Sequence, residues 1–182
     1  MPPVRIWYLA LNKRIPYTSS MKKLLKKLLY ILGFLWCLPV SILGWIFLGI
    51  LTLFKQIDEI KVLPNLAFVW EIKKETWFHK LGIDWFGWVF GNNIILYEDI
   101  DKVRKYRSFY HELEHVMQNY CWGIFFYPAY ILESSYLWLF KKKVHAYLFN
   151  HFERAARKAA GQPVEISPSN WLDGPKDRWP WW

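Results

Sequence analysis

An α+β fold is predicted: a small sheet, an amphipathic helix and further helices, all behind an apolar anchor. Three observations predict it. Residues 28–54 form a run of 27 without a charged side chain. Short aromatic and branched stretches between residues 66 and 97, broken at Gly91-Asn92-Asn93, read as strands about a tight turn. From Phe109 the apolar residues recur at helical spacing, and helical segments follow as far as Ala160.

Residues 1–20 hold a short apolar patch that fits a strand or an interfacial segment equally. Residues 21–55 are a basic flank and an anchor. Met21 opens Met-Lys-Lys-Leu-Leu-Lys-Lys, and the uncharged run behind it exceeds the roughly 20 residues that cross a bilayer core as a helix. It is longer than a leader's apolar region and has no small-x-small cleavage pattern, so a retained transmembrane anchor is expected. Pro39, well inside the run, either kinks one tilted helix or divides it into a re-entrant pair.

Residues 56–165 have the character of a water-exposed domain. Their first residues read as a charged exit from the anchor, followed by strands at 66–72, 85–90 and 94–97. Residues 102–107 are a basic lead-in to the next helix, with Ser108 as its N-cap. Residues 124–140 form an apolar helix interrupted by Pro128 and by Glu133-Ser134-Ser135. This helix is expected to pack on the domain, because an acid at the centre of a membrane span costs about 2.5–3.5 kcal/mol. A last helix runs from about residue 151 to 160, capped by Asn150 and closed by Gly161. Residues 166–182 are a tail rich in Pro and Trp, expected at the surface or the membrane interface.

The formal charge of +9 is not spread along the chain. Seven basic residues and no acid lie in residues 1–27, whereas from Lys55 onward 17 basic residues meet 15 acidic ones. The basicity is therefore a flank to the anchor and not a nucleic-acid face, and no nucleic-acid partner is expected. Aromatic residues make up 20% of the chain, with 13 Trp, which suits a protein working where apolar and wet environments meet. Cys37 and Cys121 sit too differently to suggest a disulfide or a zinc knuckle.

The chemistry is concentrated in Phe109-Tyr110-His111-Glu112-Leu113-Glu114-His115-Val116-Met117-Gln118. Two histidines four residues apart stand on one face of a helix, where both imidazoles can hold one metal ion. Phe109, Leu113, Val116 and Met117 gather on one side, with His111, His115 and Gln118 opposite. In the pattern His-Glu-x-x-His, Glu112 acts on a water that the metal activates. A catalytic zinc needs a third protein ligand, and two carboxylates are available downstream. Glu133 lies 18 residues after His115, in an apolar helix where an unpaired charge is costly. Glu153 lies 38 residues after His115, where it also fits a capping box with Asn150.

His-Glu-Leu-Glu-His-Val-Met-Gln followed by Asn-His-Phe-Glu-Arg-Ala-Ala resembles the small gluzincin-type metallopeptidases. These carry His-Glu-x-x-His-Val-x-Gln and then Asn-Pro-Phe-Glu-x-x-Ala. The hairpin around Gly91-Asn92 also matches theirs, and the resemblance spans about residues 83–161. It implies a zincin-like domain, with Glu153 as third zinc ligand beside His111 and His115 and Glu112 as general base. It further implies hydrolysis of peptide or protein substrates, with Ala156 close beneath the site. His151 departs from the pattern, which usually has proline there.

Tyr147, Tyr130 and His145 are available as oxyanion donors, and the sequence does not choose among them. His79 and His151 read as surface residues. Two other classes compete. A di-iron oxidase needs more histidines, or a second Glu-x-x-His, than the chain has. A non-catalytic membrane protein, such as an inhibitor, lysis or assembly factor, would keep the shape without the activity. The basic N-terminal flank predicts a cytoplasmic N-terminus.

Overall fold

The computed structural model describes residues 19–73, 77, 87–97, 102–141, 146–162 and 164; residues 1–18, His79, His145 and the Pro- and Trp-rich tail, for which the sequence raises expectations, lie outside them. Its elements in order are helix α1 (Ser19–Leu53), strands β1 (Ile57–Val62), β2 (Phe68–Ile72), β3 (Gly87–Phe90) and β4 (Asn93–Tyr97), then helices α2 (Lys102–Trp122), α3 (Phe126–Phe140), α4 (Ala146–Phe149) and α5 (His151–Ala159). This is an α+β arrangement with a four-stranded sheet in the order β1-β2-β4-β3. β1 and β3 pair antiparallel with their neighbours, and β2 pairs parallel with β4. The sequence marks β1 only as a charged exit from the anchor. It is a strand because the exposed residues Asp58, Glu59 and Lys61 line a sheet edge that needs few apolar positions.

β4 explains how the layers form. Its unbroken Ile94-Ile95-Leu96 is buried throughout, as expected of a strand covered on both faces. Ile94 and Leu96 pack with Val69, Val116 and Tyr120 toward α2. Ile95 points the other way and joins Ile72, Leu48 and Leu51 of α1. The period of two in the strand thus holds α2 and the C-terminal half of α1 on opposite sides.

α1 is a single helix that contains Pro39, so the re-entrant alternative is not observed. By length and composition it is, among the described residues, the one helix that could cross a membrane. It is also a wall of the domain. Gly33, Cys37, Ser41, Gly44, Leu48 and Leu51 are buried at spacings of three and four. A Cβ on Gly33 would stand 2.6 Å from Cβ of Tyr120, so the glycine sets how closely α1 and α2 approach. The boundary expected at residues 55–56 is therefore not a boundary in packing.

The β3–β4 hairpin closes through Gly91-Asn92. Gly91 has φ +61°, and a Cβ there would collide with Oγ of Ser41. Two demands thus fix this glycine: the turn's left-handed backbone and the approach of α1. The Ser41 hydroxyl accepts a hydrogen bond from the Asn92 amide at 3.1 Å, and Asn93 Nδ2 donates to the Ser41 carbonyl at 3.2 Å.

Two helix boundaries differ from expectation. α2 starts at Lys102, so Ser108 is interior and not the N-cap, and residues 102–107 are its first turns. Good helix formers with no Gly or Pro between 102 and 122 allow the extension. α3 runs unbroken through Pro128 and Glu133-Ser134-Ser135. Pro128 falls in the first turn, where its missing N–H breaks no helical bond.

Candidate metal centre

α2 delivers the two histidines. His111 and His115 are both buried, with ring centroids 4.8 Å apart and Nε2 atoms 3.2 Å apart. α5 delivers Glu153, whose Oε2 lies 3.1 Å from His111 Nε2 and whose Oε1 lies 3.3 Å from His115 Nε2. One ligand atom from each of the three residues lies within 4.8 Å of the others. Four ligands about 2.0–2.2 Å from a zinc ion at tetrahedral angles are roughly 3.3–3.6 Å apart, and the facing atoms of the three residues here, 3.1–3.3 Å apart, lie close to the short end of that range.

The hydrogen bonds around the imidazoles point the same way. His115 Nδ1 donates to Oε1 of Gln118 at 2.8 Å, and Gln118 Nε2 donates to the Phe152 carbonyl at 3.0 Å. His111 Nδ1 donates to Oε1 of Gln162 at 3.1 Å. Each ring thus spends one N–H at Nδ1, so an ion that displaces the Nε2 protons would find both Nε2 atoms turned to each other and to a carboxylate. Glu153 Oε2 is buried and faces His111 Nε2. Three converging electron-rich atoms in a buried pocket fit a cation. Two imidazoles and one carboxylate suit zinc, and also iron, nickel or copper.

Local structure explains each placement. Asn150 caps α5 by accepting from the Phe152 amide at 2.8 Å, and its Nδ2 donates to Oγ of Ser134 at 2.8 Å. Glu153 does not complete a capping box, because the Asn150 amide donates to the Ala146 carbonyl and the Glu153 carboxylate turns to the histidines. At the other end Gly161 has φ +66°. The Gly161 amide bonds Lys158 O and the Gln162 amide bonds Arg157 O, the paired bonds of a Schellman motif. That turn carries the Gln162 side chain to His111.

Glu133, the competing carboxylate, lies elsewhere. It accepts from the His151 amide at 2.9 Å and from His151 Nδ1 at 2.8 Å, at a partly exposed position. A proline at 151 would have no N–H to give, so His151 and Glu133 form a pair in this chain. Tyr130, one of three residues considered as an oxyanion donor, gives its hydroxyl to Glu153 Oε1 at 2.7 Å. Tyr147 also hydrogen-bonds Glu153, and the Arg157 guanidinium lies 5.9 Å from the Tyr147 ring centroid. Both tyrosines are tied to the carboxylate. Ala156 is fully buried in α5.

Burial acts on every charge here. It pushes Glu153 upward, but the charge of His115 and hydrogen bonds from His111 and His115 outweigh it, leaving the carboxyl well below its usual range. Burial lowers His115, yet the Glu153 charge and hydrogen bond raise it to about 9 in the metal-free protein. Glu112 is raised by burial, against the pull of the two histidines. Burial also raises Glu114, to about 7. Glu112 lies beside the edge strand: a Cβ on Gly87 would meet its Cγ at 2.7 Å and its Oε1 at 2.9 Å.

His111, Glu112, His115 and Glu153 are legible in the sequence, whereas Gln162 and the Tyr130–Glu153 bond are not. The one available signal for Gln162 was its place just after the helix-closing Gly161. No family model, curated protein or solved structure matches this chain.

Proposed function

We propose that this chain is a membrane-anchored zinc metallopeptidase with a zincin-like domain. The observation that carries the reading is the convergence of His111 Nε2, His115 Nε2 and the buried Glu153 carboxylate. Bound there, zinc would lower the pKa of a water toward neutrality and polarise a substrate carbonyl. Glu112, one residue along α2 from His111, accepts the water's proton and returns it to the leaving nitrogen. Its raised pKa brings it nearer the working pH of such a shuttle. Tyr130 and Tyr147 hold Glu153 in place through its carboxylate.

β3 ends the sheet among the described strands and begins at Gly87, against Glu112. An extended peptide pairing along this edge would lie beside the general base, which makes peptide the preferred substrate class. The test is a peptide-library digest by zinc-loaded wild type and by Glu112→Gln at equal metal content. Cleavage by wild type and a rate about 10²–10⁴ lower in the variant are expected. Equal rates would remove Glu112 from the mechanism, and a metal-loaded but inert wild type would favour a non-catalytic zincin-like protein.

A further inference from the structure

The way α1 is built into the domain bears on how the protein meets the membrane. The buried stripe from Gly33 to Leu51 covers 18 residues of rise, about 27 Å, nearly the roughly 30 Å of a bilayer's hydrocarbon core. A crossing α1 would therefore carry α2 and the sheet into lipid beside it. The exposed charges on that domain include Asp58, Glu59, Lys61, Arg154 and Lys158, which are poorly placed in hydrocarbon.

The opposite side of α1 is apolar and open. Leu24, Leu28, Ile31, Leu35, Ile42 and Ile46 are exposed along it, and Leu53 is 83% exposed at its end. At about 100° per residue these positions form one arc, and Lys23 and Lys26 fall on the domain side instead. A second element also exposes apolar residues. Trp36 packs on Phe125 with centroids 6.2 Å apart, and from there α3 exposes Ile131, Leu132, Trp138, Leu139 and Phe140. Both helices thus present exposed apolar residues, and α3 starts from the turn that Trp36 contacts.

We propose that α1 does not cross the bilayer. It lies in the plane of one leaflet with α3 beside it, sinking its apolar arc among the acyl chains while Lys23, Lys26 and Lys27 meet anionic headgroups. The metal centre is then held at the water side of that leaflet. This rests on the membrane half of the proposed function and is independent of the metal and of catalysis.

Spin labels placed singly at Ile31, Ile42, Ile46 and Leu53, in a Cys37→Ser/Cys121→Ser background, read depth directly. Vesicles of phosphatidylcholine with about a third phosphatidylglycerol are the probe, and power saturation against oxygen and a water-soluble nickel complex gives immersion. All four labels at one shallow depth, about 5–10 Å below the headgroups, are expected, with a label at Asp58 in water. A depth that passes through a maximum, placing Ile31 and Leu53 in opposite leaflets, overturns the proposal in favour of a crossing. No immersion at any position overturns it as well, and with it the membrane anchor, whatever the metal content. Lys23→Glu/Lys26→Glu/Lys27→Glu should weaken partitioning onto these vesicles by about tenfold or more and leave binding to neutral vesicles unchanged. Equal loss on both lipids would contradict the headgroup contact.

Discussion

His115 and Gln118 are locked to one another: Nδ1 of the histidine donates to Oε1 of the glutamine at 2.8 Å, while Gln118 Nε2 donates to the Phe152 carbonyl at 3.0 Å. The second bond fixes which way the amide points, and so fixes the tautomer of the imidazole. One side chain therefore links α2 to α5 and aims His115 Nε2 at Glu153. Replacing Gln118 by Leu should weaken zinc binding by about 10–100-fold. Competition against a fluorescent chelator measures this, and circular dichroism shows whether the fold is kept. Unchanged affinity would mean that packing alone orients the ring.

Gly87 makes a second prediction. Gly87→Ala puts a methyl group where Glu112 Cγ and Oε1 now lie, and its φ is not among the positive ones, so the backbone can accept alanine. The fold and bound zinc should remain, while the displaced carboxylate lowers kcat/KM by on the order of 100-fold. A variant with full activity would show that Glu112 is not positioned by the strand edge.

How much of this was legible depends on whether the contact is local. His111 and His115 share a helix face by spacing alone, and the Asn150 cap and Gly161 terminus of α5 follow from residue chemistry. Spacing alone leaves Glu133 and Glu153 both open and the resemblance favours Glu153; that Glu133 instead bonds His151 is visible only in the tertiary structure. The Gly33, Cys37, Ser41 and Gly44 stripe was hidden by hydropathy, which counts these residues as lipid-compatible and cannot show that they touch Tyr120, Asn92 and Asn93. The interior start of α2 was missed because Ser108 suits a cap as well as a buried helical position.

Metal removal should reverse the protein's pH preference. Without metal, the His115 contribution is complete below its ordinary 6.5 and is lost as pH rises through about 9. The Glu153 contribution is complete above its ordinary 4.5 and is lost as pH falls. Glu114, raised to about 7, binds its proton more tightly when folded, so stability also declines as pH climbs from 4.5 to 7. The chelated protein should therefore melt highest at mildly acidic pH and progressively lower toward pH 9. Zinc, which displaces the His115 proton, should bind more tightly as pH rises over the same interval. Melting curves with and without chelator test both; a chelated protein that gains stability from pH 6 to 9 contradicts the ion pair.

Tyr130 offers a finer test of the ligand's support. Tyr130→Phe removes the donor to Glu153 Oε1 and keeps the ring that packs on Phe126 and Phe152. Zinc should be retained at saturating metal but released about tenfold more readily to a chelator. No change in release would assign Tyr130 to packing alone.

The metal content of the purified full-length chain tests the central claim most directly. Elemental analysis of wild type, Glu153→Ala and Glu133→Ala, each dialysed against the same dilute chelator, should find zinc near one per chain in the wild type and in Glu133→Ala. Glu153→Ala should be nearly empty, since two imidazoles alone leave the ion without its third protein ligand. A wild type that holds no metal, or zinc lost from Glu133→Ala and kept by Glu153→Ala, would contradict the centre formed by His111, His115 and Glu153.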